Sequence, residues 1–152
     1  MIEAKVTLTR PEGTSRQFEV VTGSGHRLLV DDAAGATGPK PIELVAAALA
    51  GCTAFDVIGI LRKKRQRVTA YEVRVEAEQA PDPPQVFTRV RIVHRVSGEG
   101  IDPAAVENAI HLSETKYCAV GGMISKAAQL VTTFEIVPEH APVAATTGVA
   151  RS

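Results

Sequence analysis

The hydrophobic and polar positions at the start of the chain alternate with a period of two, which is typical of half-buried β-strands. Strands are predicted over residues 2–10, 16–21 and 26–30. Turn-forming residues at 11–13 and 23–25 separate them. Because the connections are short, we expect a small antiparallel sheet of three strands.

A second alternating region lies in the middle of the chain and predicts another hairpin, over residues 68–79 and 86–97, joined by a proline-rich turn. Asp102 followed by Pro103 is a helix-start signal, because aspartate caps a helix and proline suits its first position. This helix should run to about residue 117. Cys118 and two glycines mark a break, and a last strand follows over 131–137.

Between these regions, residues 41–66 form a run that is apolar almost all round, which predicts one long helix. The run approaches the length of a membrane span, but Glu43 and Asp56 lie inside it and no second span follows. We therefore predict a buried helix of a soluble protein. One sheet cannot cover all of its faces, so a second copy of the chain is the economical partner.

The balance of charges argues against some classes of function. The chain has 17 basic and 17 acidic residues in a length of 152, which argues against a general nucleic-acid binder or a membrane-surface protein. The N-terminus lacks the pattern of a signal peptide, so a cytoplasmic location is expected. We predict one domain over residues 1–137 and a flexible tail over 138–152, which is rich in small residues, proline and threonine.

The two cysteines, Cys52 and Cys118, are the best lead to chemistry. They are too far apart in sequence for a CxxC motif, so only the fold can bring them together. A two-thiol redox pair is one interpretation, and two small buried hydrophobes is the other. An active Cys52 needs a cation, for which arginine is suited, and Glu43 is a candidate to orient that arginine. The other interpretation of Glu43 is a favourable charge in the first turn of the helix.

Cys118 is predicted at a helix start, where free backbone N–H groups lower the pKa of a thiol. It could act as a nucleophile or as a resolving thiol. His111 lies seven residues earlier, which would permit a cysteine–histidine pair and a thiol hydrolase. A metal site made by the cysteines and a histidine has no support from short ligand spacing.

Two stretches resemble the OsmC/Ohr superfamily of osmotically induced and organic-hydroperoxide-resistance proteins. They are GPKPIELVAAALAGCTAFDVIGILRKKRQ at residues 38–66 and ETKYCAVGGMISKA at 114–127. The resemblance covers residues 2–137 and implies an α+β fold with antiparallel sheets and a long central helix. It also implies an intertwined homodimer with two active sites at the subunit interface.

The resemblance implies a peroxidase mechanism for the cysteines. Cys52 would attack an organic hydroperoxide to give a sulfenic acid, and Cys118 would resolve it to a disulfide. A dithiol, such as a lipoylated protein, would reduce the disulfide, with no metal or organic cofactor.

The chain departs from the family's peroxidases beside Cys52. Their arginine-holding glutamate stands ten residues before the first cysteine, where this chain has Ile42, with the acid one position later at Glu43. The family arginine belongs to the N-terminal hairpin region. Arg10, Arg16 and Arg27 are available there, and we favour Arg16 and then Arg27.

The sequence thus predicts a cysteine-based peroxidase that reduces organic hydroperoxides in oxidative-stress defence. The alternative is a non-catalytic dimer that binds a small apolar or thiol-reactive ligand, or that senses oxidants stoichiometrically. The departure at Ile42 sustains this alternative.

Overall fold

The structure is a computed structural model that describes residues 1–12, 14, 16–32 and 36–137. The chain divides into two compact units, residues 1–47 and residues 48 onward, which are described separately below. The predicted tail over 138–152 lies outside the described residues. The single domain predicted over 1–137 stays a prediction.

The first unit contains the predicted three-stranded sheet. Its strands are β1 (Ala4–Leu8), β2 (Phe18–Thr22) and β3 (Arg27–Val30), in the order β1-β2-β3 with antiparallel pairing throughout. Gly25 turns the chain between β2 and β3 with a φ of 83°, a value that glycine adopts without strain. All five residues of β1 are exposed and those of β2 are half-buried, so this sheet buries little apolar surface of its own.

The long helix α1 spans Pro41–Lys63, three residues shorter than predicted at its C-terminal end. It begins where the Glu43 carboxylate accepts the backbone N–H of Lys40 at 2.7 Å, and Arg65 follows its end in a left-handed conformation. The residues of α1 that are fully buried recur every four positions: Leu49, Thr53, Val57 and Leu61. By length and composition alone α1 could cross a membrane, but a core helix of a soluble protein passes the same test.

The second unit contains a larger sheet in the order β4-β5-β6, made by β4 (Arg67–Gln79), β5 (Phe87–Glu99) and β6 (Gln129–Val137). β4 and β5 form the predicted antiparallel hairpin. β6 pairs with β5 in parallel, so the expectation of antiparallel sheets was wrong for this pair. The chain between β5 and β6 consists mainly of helices, and such a crossover brings the later strand beside the earlier one in the same direction.

The crossover holds the second half of the candidate chemistry. Helix α2 spans Pro103–Leu112 and is capped by Asp102, whose side chain accepts the N–H of Ala104. A single π-helical turn, Ser113–Tyr117, follows it directly. The short helix α3, Ala119–Ile124, then begins at Cys118. The π-helical turn interrupts the regular helix that the sequence predicted to residue 117.

Two apolar clusters form the core of the second unit. The larger packs α1 against α2 and β5 and includes Val57, Leu61, Val96 and Val106. The smaller is centred on Leu49, Val90 and Ile92, and Cys118 belongs to it, with Cys52 packed against its edge. The two thiols therefore lie against a densely apolar wall.

Candidate thiol site

Cys52 and Asp56 project from the same side of α1, because residues four apart on a helix are neighbours. Both are half-buried, while Thr53 between them is buried. The apolar residues of the helix set this arrangement, since the burial of Leu49 and Val57 orients the turn that carries the thiol and the carboxylate. α1 thus presents a nucleophile and an acid side by side in the second unit.

Cys118 comes from the crossover and is only 6% exposed. Its backbone is extended, with φ −72° and ψ 97°, and its sulfur accepts the N–H of Gly121 at 3.2 Å. The predicted helix start at Cys118 is confirmed. A Cβ atom at position 121 would lie 3.2 Å from the sulfur, so glycine leaves the thiol its space.

The structure brings Cys52, Asp56 and Cys118 together. One ligand atom of each side chain, namely the two sulfur atoms and a carboxylate oxygen, lies within 4.8 Å of the other two. Both cysteines are free thiols. A disulfide needs about 2.05 Å between the sulfur atoms, so only a modest side-chain movement separates the thiols from a bond.

Ser113 fixes the acid of this cluster. It is fully buried at the first position of the π-helical turn, and its Oγ donates to Asp56 Oδ2 at 3.0 Å. The same Oγ contacts Thr53 Oγ1 at 3.2 Å. The contacts join the crossover to α1, so the carboxylate is held on the side where the thiols lie.

Burial raises the pKa of the Cys118 thiol to about 11. The neighbouring Cys52 thiol and the nearby Asp56 charge act in the same direction, while the Gly121 N–H opposes them. The expectation that the helix start would lower this pKa was therefore wrong in its net direction, because one N–H donor does not offset the loss of water. At neutral pH Cys118 is a protonated thiol.

A cavity of about 230 Å³ opens beside the cluster. Its walls combine apolar side chains with a few polar ones: Leu49, Thr53, Ile92, Ser113, Glu114, Cys118, Gly121, Ser125 and Leu130. Cys118 is thus reached from a small, mostly apolar pocket within the second unit. Its size suits a short alkyl group rather than a large ligand.

A second buried polar pair lies near Asp56. Tyr71 Oη and His94 Nδ1 are 2.7 Å apart, and the two rings are stacked. Burial lowers the pKa of His94 to about 4, so the ring is neutral at physiological pH. Burial and the Asp56 charge raise the pKa of Tyr71, so its hydroxyl keeps its proton. His94 Nε2 has no hydrogen-bond partner among the described residues.

The predicted activating residues lie in the first unit, and the structure pairs them there. Arg16 Nε donates to Asp32 at 2.8 Å, and Arg27 donates to Glu19 at 2.9 Å. The Glu43 carboxylate holds the N–H of Lys40, which is the helix-start role. The roles of Arg16, Arg27 and Glu43 at Cys52 stay predictions.

His111 and Cys118 line different cavities of the second unit. His111 lines a groove between α2 and β6, while Cys118 lines the smaller cavity. The π-helical turn between them ends the common helical face on which the cysteine–histidine pair depended. Among the described residues, the group that gathers at the thiols contains Asp56 and no histidine, so the thiol hydrolase gains no support.

Two residues of the site, Asp56 and Ser113, were not predicted from the sequence. Asp56 was noted only as a charge in an apolar run, although its place four residues after Cys52 was a usable signal. Ser113 gave no local signal, because its role depends on the packing of the crossover against α1.

The fold and the site define a class of α+β proteins in which a thiol and a carboxylate of a long apolar helix meet a second thiol from a helical crossover. The family model for OsmC-like proteins matches residues 33–133. The chain belongs to the OsmC-like family, as its resemblance implied.

Relatives and solved structures agree with this assignment. Protein YhfA of Escherichia coli K12 is 39% identical over 116 residues, which is 76% of this chain and 87% of YhfA. A hypothetical protein from Aquifex aeolicus is 25% identical, with a TM-score of 0.81 over 92% of this chain and 98% of that one. An organic hydroperoxide resistance protein from Elizabethkingia anophelis shares the fold at 14% identity, with a TM-score of 0.66 over 90% and 96% of the two chains. Proteins of the family are small, soluble and commonly dimeric.

Proposed function

We propose that the protein is a thiol-dependent peroxidase that reduces organic hydroperoxides. The observation that carries the proposal is the pair of free thiols whose sulfur atoms lie within 4.8 Å of each other. Membership of a family with organic hydroperoxide resistance proteins among its structural neighbours supports a redox role.

The two thiols differ in exposure, and this difference assigns them different roles in the reaction. Cys52 is half-buried and Cys118 is buried with a raised pKa. The thiolate is the form that attacks peroxide, and the peroxide must reach it, so the more accessible thiol is the better first nucleophile. Cys52 is therefore the peroxidatic cysteine and Cys118 the resolving one.

The reaction consumes one peroxide and oxidises two thiols. The Cys52 thiolate attacks the distal oxygen of ROOH, the O–O bond breaks, and the alkoxide takes a proton and leaves as ROH. The resulting sulfenic acid reacts with the Cys118 thiol, which forms the S–S bond and releases water. A dithiol then returns the disulfide to two thiols by exchange, and its own sulfurs become the disulfide.

An arginine of the N-terminal region activates Cys52 in this proposal, with Arg16 preferred over Arg27. The guanidinium of Arg16 is already held by an acid, Asp32, as an oriented arginine would be. Glu43 is the other acid proposed to orient it. Arg16→Gln should slow alkylation of Cys52 near pH 6, and Arg27→Gln should slow it less. Arg67→Gln, which removes an exposed ion pair with no proposed role at Cys52, is the control.

The working form is proposed to be a cytoplasmic homodimer built on α1. Only four residues of this helix are fully buried, and Phe55 on it is 82% exposed. A second copy would cover that apolar surface, and the family is commonly dimeric. Light scattering should give the mass of a dimer, and Phe55→Ser should shift the equilibrium toward the monomer.

Steady-state consumption of cumene hydroperoxide, with dihydrolipoamide as reductant, tests the function. We expect turnover, with hydrogen peroxide the poorer substrate because the helix that carries Cys52 is mostly apolar. Cys52→Ser should abolish turnover. Cys118→Ser should allow one oxidation of Cys52 and then overoxidation, which mass spectrometry detects. Equal activity of Cys52→Ser and the parent would falsify the assignment.

A second candidate function is a non-catalytic dimer that binds a small apolar or thiol-reactive ligand or senses oxidants once. Ile42 favours it, together with the use of Glu43 at the helix start. Loss of one equivalent of peroxide with a stable Cys52–Cys118 disulfide that dihydrolipoamide does not reduce would identify a sensor. If both thiols remained reduced after treatment with peroxide, ligand binding would be the remaining function.

A further inference from the structure

The cluster of Cys52, Asp56 and Cys118 has the donor set of a soft divalent metal site. Two sulfur atoms and one carboxylate oxygen lie within 4.8 Å of one another. Tetrahedral Zn²⁺ with bonds of about 2.0–2.3 Å separates its ligand atoms by about 3.3–3.8 Å. Closing the cluster onto an ion thus needs side-chain shifts of the order of an ångström, with no backbone rearrangement.

The surroundings of the cluster resemble those of a metal site with an open position. Ser113 holds one carboxylate oxygen of Asp56, which fixes the orientation of the acid, as outer-shell partners of metal ligands do. The N–H of Gly121 points at the Cys118 sulfur and would stabilise a thiolate there. The cavity of about 230 Å³ begins at Cys118, so a fourth position could hold water or a small ligand.

We propose that the reduced protein binds one Zn²⁺ ion per chain through Cys52 Sγ, Cys118 Sγ and a carboxylate oxygen of Asp56, with the fourth position facing the cavity. Zinc suits this donor set because it accepts sulfur and oxygen ligands together in a tetrahedral arrangement. Two thiolates and one carboxylate carry three negative charges, so the bound ion leaves a net charge of −1. Cysteine binds metal as the thiolate, so binding releases the protons of the ligand thiols.

Metal binding and disulfide formation exclude each other at this site. The sulfur atoms of a Cys52–Cys118 disulfide have no thiolate to donate, and a coordinated Cys52 is withheld from peroxide. Bound Zn²⁺ would therefore protect the thiols. The metal site does not depend on the peroxidase proposal, since binding is measured on reduced protein with no peroxide present.

Cobalt is a suitable probe, because Co²⁺ replaces Zn²⁺ and gives visible bands when it is tetrahedral. The full chain is reduced, freed of metal with a chelator and titrated with Co²⁺ under argon. We expect one equivalent per chain, tetrahedral d–d bands and a near-ultraviolet thiolate-to-cobalt charge-transfer band. Zn²⁺ should abolish these bands stoichiometrically, and native mass spectrometry should show one Zn²⁺ per chain without a change of oligomeric state.

Variants test each ligand. Cys52→Ser and Cys118→Ser should each reduce the charge-transfer band and weaken Zn²⁺ affinity more than tenfold, and Asp56→Asn should weaken it at least about tenfold while keeping the band. Glu107→Gln, at an exposed position of α2, makes the same change of charge as Asp56→Asn and should leave affinity unchanged. Circular dichroism of each variant establishes that it folds.

The parent protein gives a test that needs no variant. One equivalent of Zn²⁺ should protect both cysteines from N-ethylmaleimide, with the protected residues located by mass spectrometry. Full alkylation in the presence of Zn²⁺ would overturn the proposal, as would unchanged affinity in folded Asp56→Asn. Binding that appears only with a new oligomer would assign the metal to cysteines of different molecules, and this too would overturn it.

Discussion

The two sheets have the same number of strands but very different burial. In the first sheet every residue of β1 is exposed and Val30 of β3 is the one apolar strand residue described as buried. In the second, β5 alone contributes Val90, Ile92, Val93 and Val96 to the buried core. The second unit thus has an apolar core of its own, whereas the first sheet buries little apolar surface by itself.

Matched leucines give the largest expected difference. Leu61→Ala removes a fully buried side chain of α1 and should lower the free energy of unfolding by about 3 kcal/mol. Leu8→Ala on β1, where the side chain is 41% exposed, should cost less than about 1 kcal/mol. Urea denaturation measures both. A loss for Leu8→Ala as large as that for Leu61→Ala would mean that β1 is covered in solution.

Two histidines, one in each unit, allow the units to be compared by the pH dependence of stability. The pKa of buried His94 is about 4, against an ordinary 6.5, so the unfolded chain binds a proton between these values and the folded one does not. The contribution of neutral His94 to the free energy of unfolding is therefore fully present above about pH 6.5. The free energy of unfolding should fall by up to about 3 kcal/mol as the pH drops to 4. His94→Gln should flatten this slope. His26→Gln, in the exposed turn of the first sheet, should preserve it.

Gly121 tests the tight packing beside Cys118 in the second unit. A methyl group there would lie 3.2 Å from the sulfur, so Gly121→Ala should displace the thiol and lower stability by about 1 kcal/mol. The rate of Cys52–Cys118 disulfide formation, followed by mass spectrometry, should fall. Gly59→Ala on α1, where no described atom would meet the methyl group, is the control and should be neutral or stabilising. An unchanged disulfide rate in Gly121→Ala would show that the thiol does not depend on this space.

The smallest effects should come from exposed ion pairs, one in each sheet. Arg27–Glu19 in the first and Arg67–Glu99 in the second are both 2.9 Å long. Glu19→Gln and Glu99→Gln should each change the free energy of unfolding by less than about 0.5 kcal/mol, because solvent screens such pairs. A distinctly larger loss for Glu19→Gln, measured by thermal unfolding, would again indicate that the first sheet is covered.

Much of the fold could be predicted because its signals are local. The alternation of apolar and polar residues predicted the strands of both hairpins, and the continuous apolar run predicted α1 to within a few residues. The parallel pairing of β6 could not be predicted in this way, because it depends on how the crossover packs. The π-helical turn likewise has no signal in the local pattern.

The candidate site was predictable in part. The two cysteines and the helix start at Cys118 follow from the sequence, with the family resemblance. The raised pKa of Cys118 does not, because it depends on burial among residues from α1 and β5. Asp56 and Ser113 belong to elements distant in sequence, and only their packing reveals that they touch.

The parallel pairing of β5 with β6 also bears on the order in which the chain folds. The β4–β5 hairpin closes over a short turn and can form early, but β6 pairs with β5 only after the whole helical crossover has been ordered, and such non-local pairing is slow. Cys118 lies in that crossover, so we expect it to reach Cys52 late in folding. On a ribosome, the two thiols would meet only after the helical crossover has emerged.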